Sequence, residues 1–213
     1  MSDALDPNIV LTGFMGTGKS AVGKRVATMT GRTFVDIDQE IISKHGSIPE
    51  IFQAGGEEQF RKIEREIVAE IAPRRNQVIA TGGGTLLDAD NIVAFLGAEV
   101  YTLTAEPDEI ERRVRADGIE SRPLLANSEN VSGTIAALMA ERSEAYAKFT
   151  AVDTTGKSVD GVVDALRAAG APIATEQTVD PTASKDKTNQ VLYGVIGIAF
   201  VIAVVLLLLV LSF

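Results

Sequence analysis

Ile9-Val10-Leu11-Thr12-Gly13-Phe14-Met15-Gly16-Thr17-Gly18-Lys19-Ser20 runs from a short aliphatic stretch into G-x-x-x-x-G-K-S, and a helical pattern opens at Lys19. Strand, glycine-rich loop and helix in that order are the setting in which this spacing binds phosphate. The glycines let the loop wrap with its backbone N–H groups pointing inward, and the helix adds the positive end of its dipole. Lys19 is then placed to reach the terminal phosphates, and the Ser20 hydroxyl to ligate Mg²⁺. Gly156-Lys157-Ser158 repeats the ending, but Ala151 stands where the leading glycine is needed, so it is read as a turn.

Outward from this loop, residues 1–170 alternate short β-rich runs with helical patterns, as an α/β fold with a parallel sheet requires. Strands are expected at 9–11, 33–35, 78–80, 100–103 and 151–152. Helices are expected from near Lys19, near Gln39, over 57–71, near Asp90, and over 107–114, 131–148 and 158–169. In the 57–71 segment Phe60, Ile63, Ile67 and Ile71 recur at spacings of three and four, which buries one face and presents the intervening Arg and Glu elsewhere. The expected architecture is a three-layer P-loop sandwich around a five-stranded parallel sheet.

Composition narrows the function classes. Of 213 residues, 20 are Lys or Arg and 29 are Asp or Glu, a net charge of −9 that disfavours binding nucleic acid over a broad surface. The absence of Cys excludes disulfides, thiolate chemistry and cysteine-held metals, and the single His45 excludes a multi-histidine centre. Residues 191–213 contain no charge. As a helix they would span about 34 Å against about 30 Å of hydrocarbon, so they are read as one C-terminal transmembrane helix, with a buried core helix as the alternative. A glycolipid-anchor signal would need a secretion signal, and residues 1–8 are acidic instead of basic and apolar. Lys185 and Lys187 precede the span, which places the globular part in the cytoplasm. Residues 171–190, rich in Thr, Pro, Asp, Lys and Gln, form the linker and would hold the domain about 20–30 Å from the membrane.

Further candidates lie at the strand ends. Val35-Asp36-Ile37-Asp38 sets two carboxylates two residues apart at the carboxyl end of a strand, where one can hold hydrated Mg²⁺ and the other accept a proton from an attacking hydroxyl. The competing reading makes Asp38 the N-cap of the next helix. Thr81-Gly82-Gly83-Gly84 clears the floor of the site of side chains, so that a backbone N–H can approach a substrate closely. Arg61, Arg122 and Arg142 suit a bidentate grip on a carboxylate or the neutralising of phosphoryl charge. Residues 116–127, with Gly118 and Pro123, read as a mobile loop that brings Arg122 over the nucleotide.

Together these motifs resemble the shikimate kinases, a P-loop family related to nucleoside monophosphate kinases. Phe34-Val35-Asp36-Ile37-Asp38, Gly56-Glu57-Glu58-Gln59-Phe60-Arg61, Ile79-Ala80-Thr81-Gly82-Gly83-Gly84, Arg122-Pro123-Leu124-Leu125, Glu141-Arg142 with Tyr146, and Val152-Asp153-Thr154 follow the phosphate loop in the family's order. The resemblance implies transfer of the γ-phosphoryl of ATP to the 3-hydroxyl of shikimate. It implies that Gly13, Gly16, Thr17, Gly18, Lys19, Ser20 and Ala21 hold the nucleotide, that Ser20 and Asp36 hold Mg²⁺, and that Lys19, Asp38 and Arg122 are catalytic. Asp38, Arg61, Gly82, Gly83, Gly84 and Arg142 would then bind shikimate, and Arg115, seven residues before Arg122, would stack on adenine. The kinase domain is expected to be monomeric. Ile37 stands where the family often has Thr, Asn91-Ile92 where it often has Asn-Arg, and the 191–213 segment is an addition to a family normally soluble. A gluconate kinase-like enzyme and a non-catalytic nucleotide-binding membrane scaffold are the alternatives.

Overall fold

The computed structural model describes residues 6–119, 122–126 and 128–174. Its centre is β1 (Ile9–Gly13), buried along its whole length, which explains the unbroken aliphatic run that leads into the glycine loop. β2 (Thr33–Asp36), β3 (Gln77–Ala80), β4 (Glu99–Thr104) and β5 (Thr150–Asp153) complete an all-parallel sheet of order β2-β3-β1-β4-β5. All five strands fall where the alternation placed them. Registers such as Leu11 with Ala80 and Gly13 with Leu103 bring the carboxyl ends of the strands together on one rim.

Helices cover both faces. α1 (Lys19–Thr30) and α8 (Val159–Ala168) pack Val22, Val26, Val162 and Leu166 on Ile9 and Leu11. On the other face α2 (Ile37–His45), α3 (Ile48–Ile71) and α4 (Ala89–Ala94) enclose Val10, Ile79, Ile41, Ile63 and Ile67. A third cluster, Phe14, Ile110, Val114, Leu125 and Ile135, joins the glycine loop to α5 (Pro107–Asp117), α6 (Pro123–Ala126) and α7 (Val131–Tyr146).

Four expectations are corrected. α3 starts at Ile48, because Ser47 and Glu50 form a reciprocal capping box and Pro49 sits in the first turn where its missing N–H costs nothing; the chain then kinks at Gly56 (φ 69°) before the expected 57–71 stretch. The 116–127 region is partly helical, since α5 continues to Asp117 and α6 adds a turn. The fold also runs past residue 170, because Ala171 and Ile173 are buried against the α8 side of the core. Finally, Asp38 does not continue β2 but lies in the first turn of α2. No helix among the described residues is long and apolar enough to cross a membrane, and the span expected at 191–213 lies outside them.

Candidate active site

The glycine loop is held by positive-φ backbone at Gly13 (128°), Gly16 (76°) and Gly18 (89°), conformations that L side chains rarely adopt. Gly13 has a second requirement, since a Cβ there would fall onto the carbonyl of Leu103 in β4. Inside the loop the Thr17 hydroxyl donates to Phe14 O at 2.8 Å, and Lys19 Nζ donates to Gly13 O and Phe14 O, both at 2.9 Å. The ammonium thus rests on the loop's own carbonyls. Burial pulls its pKa down to about 8, against the pull of Asp38 and Asp36 in the other direction.

Asp36, at the end of β2, caps α2 by accepting from the N–H groups of Asp38 (3.1 Å) and Gln39 (3.3 Å), so the capping role considered for Asp38 belongs to Asp36. Its other oxygen accepts from Ser20 Oγ at 2.5 Å. Two hard oxygen donors therefore meet at the start of α1, a set that suits Mg²⁺, which is commonly held by one or two protein oxygens with phosphates and water. No cluster of three or more metal-ligating side chains exists among the described residues, so any Mg²⁺ here relies on those other oxygens.

Asp38 faces the same cleft, and burial, with Asp36 beside it, raises its pKa to about 6 even though Lys19 lies opposite. The glycine run lies beneath it: a Cβ at Gly82 would stand 2.9 Å from Asp38 Oδ1 and 3.0 Å from Glu64 Oε1, and one at Gly84 would stand 2.8 Å from Arg61 Cζ. Arg61 donates to Glu64 (2.7 Å) and Glu57 (2.9 Å). Arg142 is buried, lies 5.7 Å from the Phe14 ring and reaches Gly83 O at 3.4 Å, while its Nε has no partner. Tyr146 also donates to Gly83 O. A buried guanidinium N–H without an acceptor is unusual in a finished core and points to an anion that the cleft receives.

These groups line one cleft of about 640 Å³, within the range of small-molecule sites. It is bordered by six cationic side chains and four carboxylates, so it is net positive on a chain of net charge −9. Gly16, Gly18, Lys19, Ser20, Ala21, Asp36, Asp38, Arg61, Gly82, Gly83, Gly84, Arg122 and Arg142 all border it. Arg122 is tied back to Gly118 O at 2.5 Å and Asp117 at 3.1 Å. Gly13 shapes the loop from behind, and Thr17 faces an adjoining pocket of about 420 Å³ between α5 and the turn before α8.

Arg115 is not brought to the cleft: it is half-exposed and paired with Glu111 at 2.7 Å. Arg112 and Arg113, on the same helix, line both the cleft and the adjoining pocket instead. Glu64 is the other residue that sequence reasoning missed. It is wholly buried among the apolar residues of α3, accepting from Arg61 Nη1 and from Thr85 Oγ1, each at 2.7 Å. Its place four residues after Phe60, on the apolar stripe, was the available signal.

Comparison with known proteins gives a consistent result. A family model described as shikimate kinase matches residues 15–169. The shikimate kinase of Geobacter sulfurreducens is 45% identical over 159 residues, covering 73% of this chain and 86% of that protein. That of Symbiobacterium thermophilum is 43% identical over 160 residues, covering 73% and 91%. Among solved structures, shikimate kinase from Acinetobacter baumannii in complex with shikimate superposes with a TM-score of 0.72 at 33% identity, covering 76% of this chain and 92% of that one. The enzyme from Aquifex aeolicus gives 0.65 at 29%, covering 76% and 95%.

Proposed function

The chain belongs to the shikimate kinase family, and from that premise we infer that its cleft transfers the γ-phosphoryl group of ATP to the 3-hydroxyl of shikimate, giving shikimate 3-phosphate and ADP. One observation carries the acceptor assignment. Arg61 and the buried Arg142, whose Nε lacks a partner, flank a side-chain-free glycine run beside the phosphate loop, as a carboxylated polyol ring requires.

The residues divide the work between phosphate and acceptor. The loop amides and Lys19 take the β- and γ-phosphates, for which Lys19 leaves the carbonyls of Gly13 and Phe14. Ser20 would hold Mg²⁺ directly and Asp36 through water, the ion supplying charge neutralisation on the phosphates when bound. Arg61 and Arg142 take the carboxylate of shikimate in bidentate fashion. Asp38, with a pKa near 6, is ionised at neutral pH and accepts the proton of the attacking hydroxyl. Arg122, once released from Asp117, neutralises charge on the transferring group. Arg112, in place of Arg115, faces the base. Positioning and charge neutralisation supply most of the catalysis.

The charge-free 191–213 segment is assigned as a membrane anchor holding a cytoplasmic kinase domain. It is tested by whether deleting 191–213 moves the protein from the membrane to the soluble fraction. The catalytic assignment is tested by ADP release from the full chain with Mg-ATP and shikimate, gluconate or no acceptor. Release that depends on shikimate alone is expected, and equal release with all three refutes the acceptor assignment.

A further inference from the structure

Arg142 and Tyr146 stand one turn apart on α7, and both turn toward the carbonyl of Gly83 in the glycine run. They do not share it equally. The Tyr146 hydroxyl donates to it, whereas Arg142 Nη1 stays at 3.4 Å, outside the range of about 2.7–3.2 Å usual for an N–H···O bond. Arg142 is buried, the Phe14 ring lies 5.7 Å from its Cζ, and its Nε has no partner. Its guanidinium is thus held in place without being saturated.

Tyr146 is fixed at both ends. It is the last residue of α7, where a helical carbonyl lacks its intrahelical donor, and its backbone oxygen accepts instead from the buried Thr102 Oγ1 of β4 at 3.0 Å. Its hydroxyl end meets Gly83 between the phosphate loop and α7, since a Cβ at Gly83 would stand 3.5 Å from Met15 N and 3.6 Å from Arg142 Nη1. Burial pushes the phenol pKa up, against the pull of Arg142 and Arg61, so the hydroxyl keeps its proton and remains a donor at neutral pH. The ring is not part of the cleft lining, so any effect on an acceptor passes through Gly83 and Arg142. Without the phenol hydroxyl, the Gly83 carbonyl would need another donor, and Arg142 already stands beside it. A charge-assisted bond there would hold N–H groups that the cleft needs for an anion.

We propose that Tyr146 is a positioning residue for the acceptor: by donating to Gly83 O it occupies the carbonyl that would otherwise draw in the Arg142 guanidinium, and so leaves Arg142 available to the acceptor's carboxylate. This rests on the reading of Arg142 as part of the carboxylate grip. The nucleotide contacts of Lys19 and Ser20 lie outside the Thr102–Tyr146–Gly83 connection, so nucleotide binding is independent of it.

The test is a double-mutant cycle on the full chain with Tyr146→Phe, Arg142→Met and both together, reading kcat and KM for shikimate and ADP affinity by calorimetry. Tyr146→Phe keeps the ring and its packing and removes only the hydroxyl. It is expected to raise the KM for shikimate by about tenfold, with kcat and ADP affinity within about twofold. In the Arg142→Met background the same change should lower kcat/KM by less than about twofold, because there is no guanidinium left to be drawn away. Equal losses in the two backgrounds overturn the proposal, since they mark either direct contact between the hydroxyl and the acceptor or a general loss of packing. An unchanged KM in Tyr146→Phe overturns it as well, as does a loss shared by kcat and ADP affinity. If Arg142→Met alone leaves kcat/KM for shikimate unchanged, the carboxylate grip beneath the proposal fails, a result that is read without any Tyr146 variant.

Discussion

Replacing Asp38 by Asn keeps the size and polarity of the side chain and removes its charge and basicity. Folding raises the carboxyl from 3.8 to about 6, chiefly by burial and then by Asp36. At about 1.4 kcal/mol per unit, the ionised carboxylate burdens the folded state by up to about 3 kcal/mol. That shift already contains the attraction of Lys19, and the neutral amide must itself be desolvated, which trims the net gain to about 1–2 kcal/mol. Because the folded pKa lies above the unfolded one, relative stability is full below 3.8 and lost as pH rises through about 6. Asp38→Asn should therefore melt about 3–6 °C higher than wild type at pH 8 and coincide with it near pH 4. Turnover should fall by about 10²–10⁴, the range for loss of a general base, while ADP still binds. In the wild type kcat/KM should decline below about pH 6 as Asp38 protonates and above about pH 8 as Lys19 loses its proton. The acid limb should vanish from the residual activity of the variant. A variant that loses both turnover and stability at pH 8, or a wild type without the acid limb, refutes Asp38 as a buried base.

Three further outcomes follow from the site. Glu64→Gln keeps the Thr85 bond but leaves Arg61 without its buried partner, which should lower stability by about 2–3 kcal/mol in a denaturant titration and raise the KM for shikimate more than that for ATP. Gly84→Ala places a methyl 2.8 Å from Arg61 Cζ. By displacing the guanidinium it should cost about 10²-fold in kcat/KM for shikimate, with ADP affinity unchanged in calorimetry. Arg112→Ala should weaken ADP several-fold, whereas Arg115→Ala, which removes one partner of Glu111 and leaves Ser132 on it, should leave it within about twofold.

The fold was legible because its signals are local. The glycine loop, the aliphatic strands and the Phe60–Ile63–Ile67–Ile71 stripe are patterns that each segment carries alone. What escaped depended on partners distant in sequence or on a misjudged breaker. Pro49 and the Gly55-Gly56 pair hid the first turns of α3, although Ser47 and Glu50 announced them. Asp36 and Asp38 both border the cleft, but alternation along a strand cannot reveal that α2 begins between them, so that one caps the helix and the other faces the cleft from its first turn. Among Arg112, Arg113 and Arg115, spacing from Arg122 cannot decide which faces the nucleotide. That depends on how α5 is rotated by burying Ile110 and Val114 against the phosphate loop.

The strand order explains why the glycine run is where it is. β3 lies between β2 and β1, so its carboxyl end opens between Asp36 and Asp38 on one side and the phosphate loop on the other. A hydroxyl moving into line with a γ-phosphate must pass over that middle strand. Side chains there would stand between nucleophile and phosphorus, and a Cβ at Gly82 would already press on Asp38 Oδ1. The charges are accordingly displaced to the flanks. Glu64 enters from α3 and Arg142 from α7, both buried, and the glycines leave them room, since a Cβ at Gly82 would stand 3.0 Å from Glu64 Oε1 and one at Gly83 3.6 Å from Arg142 Nη1. This arrangement makes the floor tolerant of no side chain and the flanks tolerant of no lost charge. Substitutions at Gly82 and Gly84 should therefore impair the acceptor half of the reaction while the nucleotide half, built on β1 and α1, continues to bind.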